Sequence, residues 1–143
     1  MAPPVFRDIL DGLVATLGRV EGIKQVLDYE PTAIQTTPLV YLLLDSFERE
    51  VKAGLVQERY RILVRTCIQW QNNRGAEEQL VGFVTTIPAA VDADPTLGGA
   101  ITSGLARMLS GSTGFLTVGG AMYRVLDLYA DVFAKGSHSY ARG

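Results

Sequence analysis

The sequence predicts an α+β fold, in which a mixed, mostly antiparallel sheet of about five strands carries two main helices on one face. The first observation is a long stretch, residues 57–71 (QERYRILVRTCIQWQ), in which apolar and polar side chains alternate. A period of two is typical of a β-strand with only one face deeply covered. Two further segments, 5–17 and 76–91, repeat apolar residues at the spacing of an amphipathic helix. The last observation is segment 121–134 (AMYRVLDLYADVFA), which alternates again.

Length and composition predict one globular domain. A chain of 143 residues is long enough for a single core, so we assign residues 1–134 to the domain and 135–143 to a flexible C-terminal tail. Hydrophobic residues make up 48% of the chain and charged residues 20%, which argues against disorder. The formal charge of −2 predicts no direct nucleic-acid specificity, and no apolar run is long enough to predict a membrane span. The start, MAPPVFRDILDG, does not resemble a signal peptide, so we expect folding in the cytosol.

The first half of the chain predicts a helix followed by three strands. After the helix over 5–17, segment 23–29 predicts a short edge strand and segment 39–47 (LVYLLLDSF) an inner strand. Segment 48–54 (EREVKAG) predicts a charged hairpin tip or extended arm that leads into the long central strand. Because the link is short, we expect these two strands to pair antiparallel. Fifteen residues at roughly 3.3 Å each span about 50 Å, so the central strand must bend or project beyond the domain.

The second half predicts a helix and a final strand with irregular structure between them. The apolar face of the helix consists of Ala76, Leu80, Phe83, Val84, Ile87 and Val91. Pro88 is expected to kink its last turn or to end it early. Segment 92–99 is rich in helix breakers, and segment 100–109 is compatible with either a weak strand or a short helix. Segment 110–120, rich in Gly, Ser and Thr, predicts a mobile loop, and the final strand is expected to pair with the central one.

Residue types with catalytic chemistry are few and scattered. His138 is the only histidine and lies in the tail, where a solvated side chain is favoured over a general base. Cys67 is the only cysteine; nearby arginines would lower its thiol pKa, but without an ordered His base an inert strand cysteine is favoured. Asp92 and Asp94 indicate helix-end and turn capping rather than a cation site. We therefore expect no enzymatic activity, no metal site and no cofactor.

The most informative charges are three arginines of the central strand, Arg59, Arg61 and Arg65, which share one face. One interpretation is a solvated outer sheet face; the other is a docking surface, because Arg is enriched at interfaces and forks onto carboxylates. So much like charge on one face requires acids opposite, within the subunit or on a partner. The predicted interface residues are Arg59, Arg61, Arg65, Glu48, Glu50, Asp127 and Asp131.

The order of these segments resembles a known protein family. The opening helix is followed by Glu30-Pro31, by Pro38-Leu39-Val40-Tyr41, and by the strand Tyr-Arg-Ile-Leu-Val-Arg. The second helix leads into Asp-Pro-Thr-Leu-Gly-Gly at residues 94–99, and the chain ends with the strand Tyr-Arg-Val-Leu-Asp-Leu. Over about residues 5 to 134 this order is similar to the tail terminator (tail completion, or minor tail U-like) proteins of long-tailed bacteriophages and prophages.

The resemblance implies a structural assembly protein without enzymatic activity. Its expected form is a homo-oligomeric ring, a hexamer, that caps the head-proximal end of the tail tube, stops tube polymerisation and provides the surface that joins the tail to the head. Its expected partners are the phage tail tube protein and the head-tail connector proteins, and its expected location is the virion tail after assembly in the host cytoplasm. Segment 110–120 would match a loop facing a neighbour or the lumen. The alternatives are a head-tail connector, neck or tube-like virion protein, or a small ligand-binding domain or enzyme.

Overall fold

The structure, a computed structural model that describes residues 6–70 and 73–137, confirms the predicted α+β fold. Two helices and five strands follow in the described chain in the order α1 (Phe6–Gly18), β1 (Gln25–Leu27), β2 (Leu39–Lys52), β3 (Leu55–Gln69), α2 (Asn73–Ala93), β4 (Gly104–Val118) and β5 (Ala121–Ser137). They form one sheet in the order β1-β2-β3-β5-β4. The pair β1–β2 is parallel and the other pairs are antiparallel, so the long central strand β3 lies between β2 and β5 as predicted.

Both helices pack on one face of the sheet, where they build the main core. Ile9, Leu13 and Leu17 of α1 are fully buried, and Ile62 and Val64 of β3 meet them from the sheet. Burial of these apolar side chains is the main stabilising contribution to such a layered fold. None of the helices in the described part of the chain is long and apolar enough to cross a membrane.

Helix α2 departs from the prediction at two residues. Val84, assigned to the buried face, is 46% exposed, because the apolar stripe runs along Ala76, Leu80, Phe83, Ile87 and Val91. Pro88 does not end the helix, which continues to Ala93. Pro88 removes one backbone donor and so one helical hydrogen bond, while the buried side chains of Ile87 and Val91 keep the last turn packed in the core.

Gly12 allows α1 to contact the turn that follows α2. A Cβ atom built at Gly12 would lie 2.6 Å from the carbonyl oxygen of Leu97, which is closer than any real Cβ contact. That turn is tight: Leu97, Gly98 and Gly99 all have positive φ values, of 53°, 70° and 89°. Gly is therefore required at position 12 by packing, although it lowers helix propensity there.

The face of the sheet opposite the helices, which we call the outer face, is covered over part of its area. The connection between β1 and β2 crosses it, and Ile34 packs against a second buried cluster. This cluster consists of Leu39, Tyr41, Cys67, Tyr123 and Val125. The Tyr123 hydroxyl donates a hydrogen bond of 3.2 Å to the Ile34 carbonyl and so holds the connection in place. The prediction of only one deeply covered face is therefore wrong for this end of the sheet.

The prediction of a mobile loop over residues 110–120 is wrong, and so is the short-helix alternative for 100–109. Residues 104–118 form β4, an edge strand that pairs with β5 from Gly104 opposite Ala134 to Val118 opposite Ala121. Gly119 and Gly120, both with positive φ, make the two-residue hairpin turn. The small polar residues of β4 remain compatible with a strand because the hydrogen bonds to β5 hold the backbone and most of its side chains are exposed.

The final strand is longer than predicted. β5 continues through residues 135–137, which the sequence assigned to the tail, and these residues pair with residues 55–57 of β3. The rest of the predicted tail, including His138, lies outside the described residues.

Strands β2 and β3 extend together as a hairpin arm. Its tip is a two-residue turn, Ala53-Gly54, with φ values of 52° and 79°. Only Leu39–Leu42 of β2 are buried; Leu44 to Lys52 are all exposed, so the predicted inner strand is inner in its first half alone. A register shift between Leu44 and Ser46 marks where the exposed part begins. We refer to residues 46–52 as the arm strand.

Candidate interaction surface

All seven predicted interface residues lie on the outer face of the sheet. Residues directly opposite each other in a ladder share a face, and Glu48 is opposite Arg59, Asp131 opposite Arg61 and Asp127 opposite Arg65. Glu50 is opposite Gln57 of β3, which points to the same side as these arginines. The predicted two faces of β3 are therefore present: one side carries apolar residues toward the helices, and the arginines point to the other side.

Arg65 forms a salt bridge within its own subunit. Its guanidinium donates two hydrogen bonds to the two carboxylate oxygens of Asp127, at 2.7 and 2.8 Å, and one of 3.0 Å to the hydroxyl of Tyr41. The two charged side chains are 22% and 16% exposed, so the pair is largely shielded from water. The hydrogen bonding of Arg65 to Asp127 is the main cause of the raised pKa of Arg65. Its charge is therefore balanced without an acid from a partner.

Arg59 and Arg61 are arranged differently. Both are exposed, and within the described part of the chain neither forms an ion pair. Each guanidinium instead stacks on an aromatic ring of β5: Arg61 lies 4.3 Å from the Tyr129 ring centroid and Arg59 lies 5.3 Å from that of Phe133. Arg61 also donates a hydrogen bond of 3.4 Å to the Ser110 hydroxyl. Stacking holds the planar group in place, and guanidinium N–H groups without an acidic partner can bind a carboxylate.

Arg59 and Arg61 line a shallow depression of about 520 Å³ on the outer face. Its lining includes the carboxylates of Glu48 and Asp131 together with Arg107 and the exposed side chain of Leu109. None of these three charged residues forms an ion pair with another described residue. The depression thus offers charges of both signs without a described acidic or basic partner, together with arginine and aromatic side chains, which are enriched at protein interfaces.

Sequence reasoning missed Arg107. It lies opposite Asp131 in the β4–β5 ladder, on the outer face, and it is the only charged residue of β4. The available signal was the isolation of one Arg in fifteen residues that otherwise carry no charge. Because segment 100–109 was compatible with a short helix as well as a weak strand, no face could be assigned to Arg107.

Cys67 is buried, which agrees with the interpretation of an inert strand cysteine rather than an activated thiol. It is fully buried in the second cluster, and burial raises the pKa of its thiol from an ordinary 9.0 to about 12, against the opposing effect of Arg65.

We expect the folded protein to resist thiol alkylation at pH 8 and the denatured protein to react. Because the unfolded thiol ionises near pH 9 and the folded one near 12, the free energy of unfolding should fall as pH rises through this window. Rapid alkylation of the folded protein at pH 8 would contradict the burial of this thiol.

The remaining candidates from the sequence do not assemble into a site. The Asp94 carboxylate accepts a hydrogen bond of 3.4 Å from Arg19, which ties the turn after α2 to the end of α1, whereas Asp92 is exposed. Among the residues that the structure describes, no group of three or more His, Cys, Asp or Glu side chains is close enough to hold a metal ion.

Comparison with known proteins gives no relative: no model of a known protein family matches this chain, and no curated protein sequence matches it significantly.

Proposed function

We propose that the protein is a structural virion assembly protein of the tail-terminator type. In this proposal it forms a ring of six copies, as the resemblance implies, and the ring caps the head-proximal end of the phage tail tube. Capping stops tube polymerisation, and the exposed side of the ring provides the surface to which the head-tail connector proteins bind. The function is mechanical and requires no enzymatic activity and no cofactor.

The observation that carries this proposal is that each edge of the sheet has a stretch with which no other strand pairs. β4 is the last strand at one edge of the sheet; the Ala106 amide donates a 2.7 Å hydrogen bond to the Pro95 carbonyl there, and no strand pairs with that edge. At the opposite edge of the sheet β1 pairs only with Leu39–Tyr41 of β2, so no strand pairs with the rest of this edge of β2. An unpaired edge is a template for pairing with another chain. Pairing of one free edge with the other is a head-to-tail contact, and such contacts close into a ring when the rotation per copy fits.

The outer face supports the second part of the proposal, which is docking. Arg59 and Arg61 lie in a depression next to the arm, and neither pairs with a carboxylate of the described residues. Guanidinium groups held in this way bind carboxylates of a partner in a defined geometry. Either the tube or a neighbouring copy can supply these carboxylates, and both belong to the same assembly.

The solution mass tests the assembly part of the proposal. Light scattering and native mass spectrometry of the purified protein should show rings, either alone or once tail tubes are added. A small ligand-binding domain, the alternative from another class, has no need to associate. A strict monomer at high concentration that is also unchanged by tail tubes would contradict the proposal.

A further inference from the structure

Beyond Ala106, whose amide is bonded to the Pro95 carbonyl, the edge of β4 has a second part with no partner in the described chain. Val118 and Ala121 flank the two-residue turn, so they form a hydrogen-bonded pair and the ladder alternates from there. The N–H and C=O groups of every second residue from 111 to 117 therefore point away from β5. No described residue is hydrogen-bonded to these backbone groups, and these residues are exposed. We refer to residues 111–117 as the edge segment.

The edge segment lacks the features that protect an edge strand. Charged side chains, Pro residues and bulges usually prevent an edge from pairing with another chain. The edge segment (GSTGFLT) contains no charged residue and no Pro, and its register with β5 is continuous. Phe115 within it is 55% exposed. We expect an edge of this kind to be covered in the working form of the protein.

Helix α2 presents an exposed apolar flank above the edge segment. Arg124 donates hydrogen bonds both to the Glu77 carboxylate of α2 and to the Gly114 carbonyl, so this side of α2 lies above β4. Val81 and Val84 follow Glu77 by four and seven residues and therefore lie on the same side of the helix. They are 64% and 46% exposed, and we call them the α2 flank. A strand added to the edge segment would lie beside them.

The arm strand has a free edge of the same kind. The two-residue turn at its tip fixes the ladder with β3, so the backbone groups of residues 47, 49 and 51 point away from β3. Phe47 lies on the helix side of the sheet, because it is opposite Tyr60 of the main core, and Val51 shares that side. Phe47 and Val51 are 63% and 38% exposed, so this side of the arm strand is apolar and uncovered.

The faces and directions of the two edges are compatible. In the edge segment, too, the residues with free backbone groups lie on the helix side, because Thr113 is opposite Leu126 of the main core. Antiparallel pairing of the edges therefore keeps the helix sides of both copies together, with Phe47 next to the α2 flank. Along the sheet β2, β3, β5 and β4 are successively antiparallel, so β2 and β4 of neighbouring copies in a ring meet in the antiparallel sense.

The pairing also requires the stagger that a closed sheet has. Through the ladders, Arg49 lies level with Gly104 of its own copy. The arm strand must therefore be displaced along the strand direction to reach the edge segment of the next copy. Strands in a closed sheet tilt, and the tilt staggers successive strands by a displacement of this kind.

Pairing of each edge with its own kind is less favourable. Two arm strands paired symmetrically about Arg49 would place Glu48 of each copy opposite Glu50 of the other, and like charges directly opposite each other are destabilising. Two edge segments paired with each other would leave Phe47 and Val51 of both copies exposed. The contact between unlike edges avoids the repulsion and covers both.

We propose that the arm strand of one copy pairs antiparallel with the edge segment of the next copy, where its exposed apolar side chains pack against the α2 flank. This pairing rests on the proposed ring and names the contact that builds it. The sheets of all copies then join into one closed sheet.

Two proline variants, one on each edge, test the pairing. Arg49→Pro and Thr113→Pro each remove an amide that points away from its own sheet, so each subunit should keep its ladder hydrogen bonds and its circular dichroism spectrum. Each variant alone should lose at least about tenfold in association constant, because proline removes a hydrogen bond to the next copy and obstructs its approach. A 1:1 mixture should form heterodimers but no rings, since Arg49→Pro keeps a free edge segment and Thr113→Pro keeps a free arm strand.

Val81→Lys tests the α2 flank, and Thr86→Lys is its matched control. Both positions are exposed, and they lie about 140° apart around the helix. Val81→Lys should weaken association at least about tenfold, because it places a charge where apolar side chains of the next copy pack. Thr86→Lys should assemble as the wild type does. Normal assembly of Val81→Lys would overturn the contact with the α2 flank.

Hydrogen exchange on the wild-type protein gives a readout that depends on no variant. Backbone amides of the arm strand and of the edge segment should exchange more slowly in the ring than in the diluted monomer. Normal rings from either proline variant, dimers of Arg49→Pro alone, no heterodimer on mixing, or unchanged exchange at these segments would each overturn the pairing. Those results would leave the assembly function standing. A wild-type protein that never associates, alone or with tail tubes, would overturn the assembly function itself.

Discussion

Replacing Arg61 by Glu is expected to abolish ring formation or tube capping while circular dichroism shows an intact fold. Arg61 is exposed, stacks on Tyr129 and has no carboxylate partner among the described residues, so its reversal removes little from the stability of the subunit. If its N–H groups bind a carboxylate across an interface that excludes water, the loss should be about 2–5 kcal/mol of association free energy. Sedimentation measures ring formation, and tail length in an assembly assay measures capping.

Arg59→Glu is the companion variant, because Arg59 is held over Phe133 in the same way. Arg74→Glu serves as the control for a reversed surface charge, since Arg74 is 91% exposed and its ion pair among the described residues is with Glu78, one helical turn away. Normal rings and normal tail lengths in both the Arg59 and Arg61 variants would place this part of the outer face in solvent.

Replacing Arg65 by Leu is expected to destabilise the subunit itself. The change leaves the Asp127 carboxylate largely shielded from water without its two charge-assisted hydrogen bonds, and the Tyr41 hydroxyl without its donor. Breaking one partner of a buried pair costs 3–5 kcal/mol, and partial exposure reduces the expected loss to about 2–3 kcal/mol of unfolding free energy. Chemical denaturation followed by circular dichroism measures this loss.

A double variant separates the salt bridge from simple loss of packing. Arg65→Leu combined with Asp127→Leu removes both charges, so it should recover part of the stability lost in Arg65→Leu. Arg59→Leu, which breaks no ion pair, should change the unfolding free energy by less than about 0.5 kcal/mol. An Arg65→Leu protein as stable as the wild type would show that this pair contributes nothing to the fold.

Arg61 and Arg65 illustrate how much of the site the sequence alone could predict. Alternation in residues 57–71 placed Arg61 and Arg65 on one face and apolar residues on the other, because a period of two fixes the face of every side chain. It could not show that Arg65 reaches Asp127 whereas Arg61 lies over Tyr129, because partners across strands depend on register. Charge reversal at Arg65, unlike charge reversal at Arg61, is therefore expected to destabilise the subunit.

The strand β4 shows a different limit. Its residues 110–118 carry Gly, Ser and Thr in the proportions of a loop, and hydrophobic periodicity is weak because most of their side chains are exposed. What makes this segment a strand is its neighbour β5, whose register runs the length of the hairpin closed by Gly119-Gly120. The second buried cluster was missed for a related reason: Ile34 meets Cys67 and Tyr123 only because the connection after β1 folds back over the outer face.

The growth of tail tubes tests the proposed function most directly. Tube protein from the same source is polymerised with and without this protein, and electron microscopy records tube lengths and the position of the added protein. The proposal predicts that growth stops on addition and that one ring is found at a single end of each tube. Arg74→Glu should act as the wild type does, and Arg61→Glu should leave tubes uncapped. Tubes that keep growing with the wild-type protein present, and carry none of it at their ends, would contradict the assignment as a tail terminator.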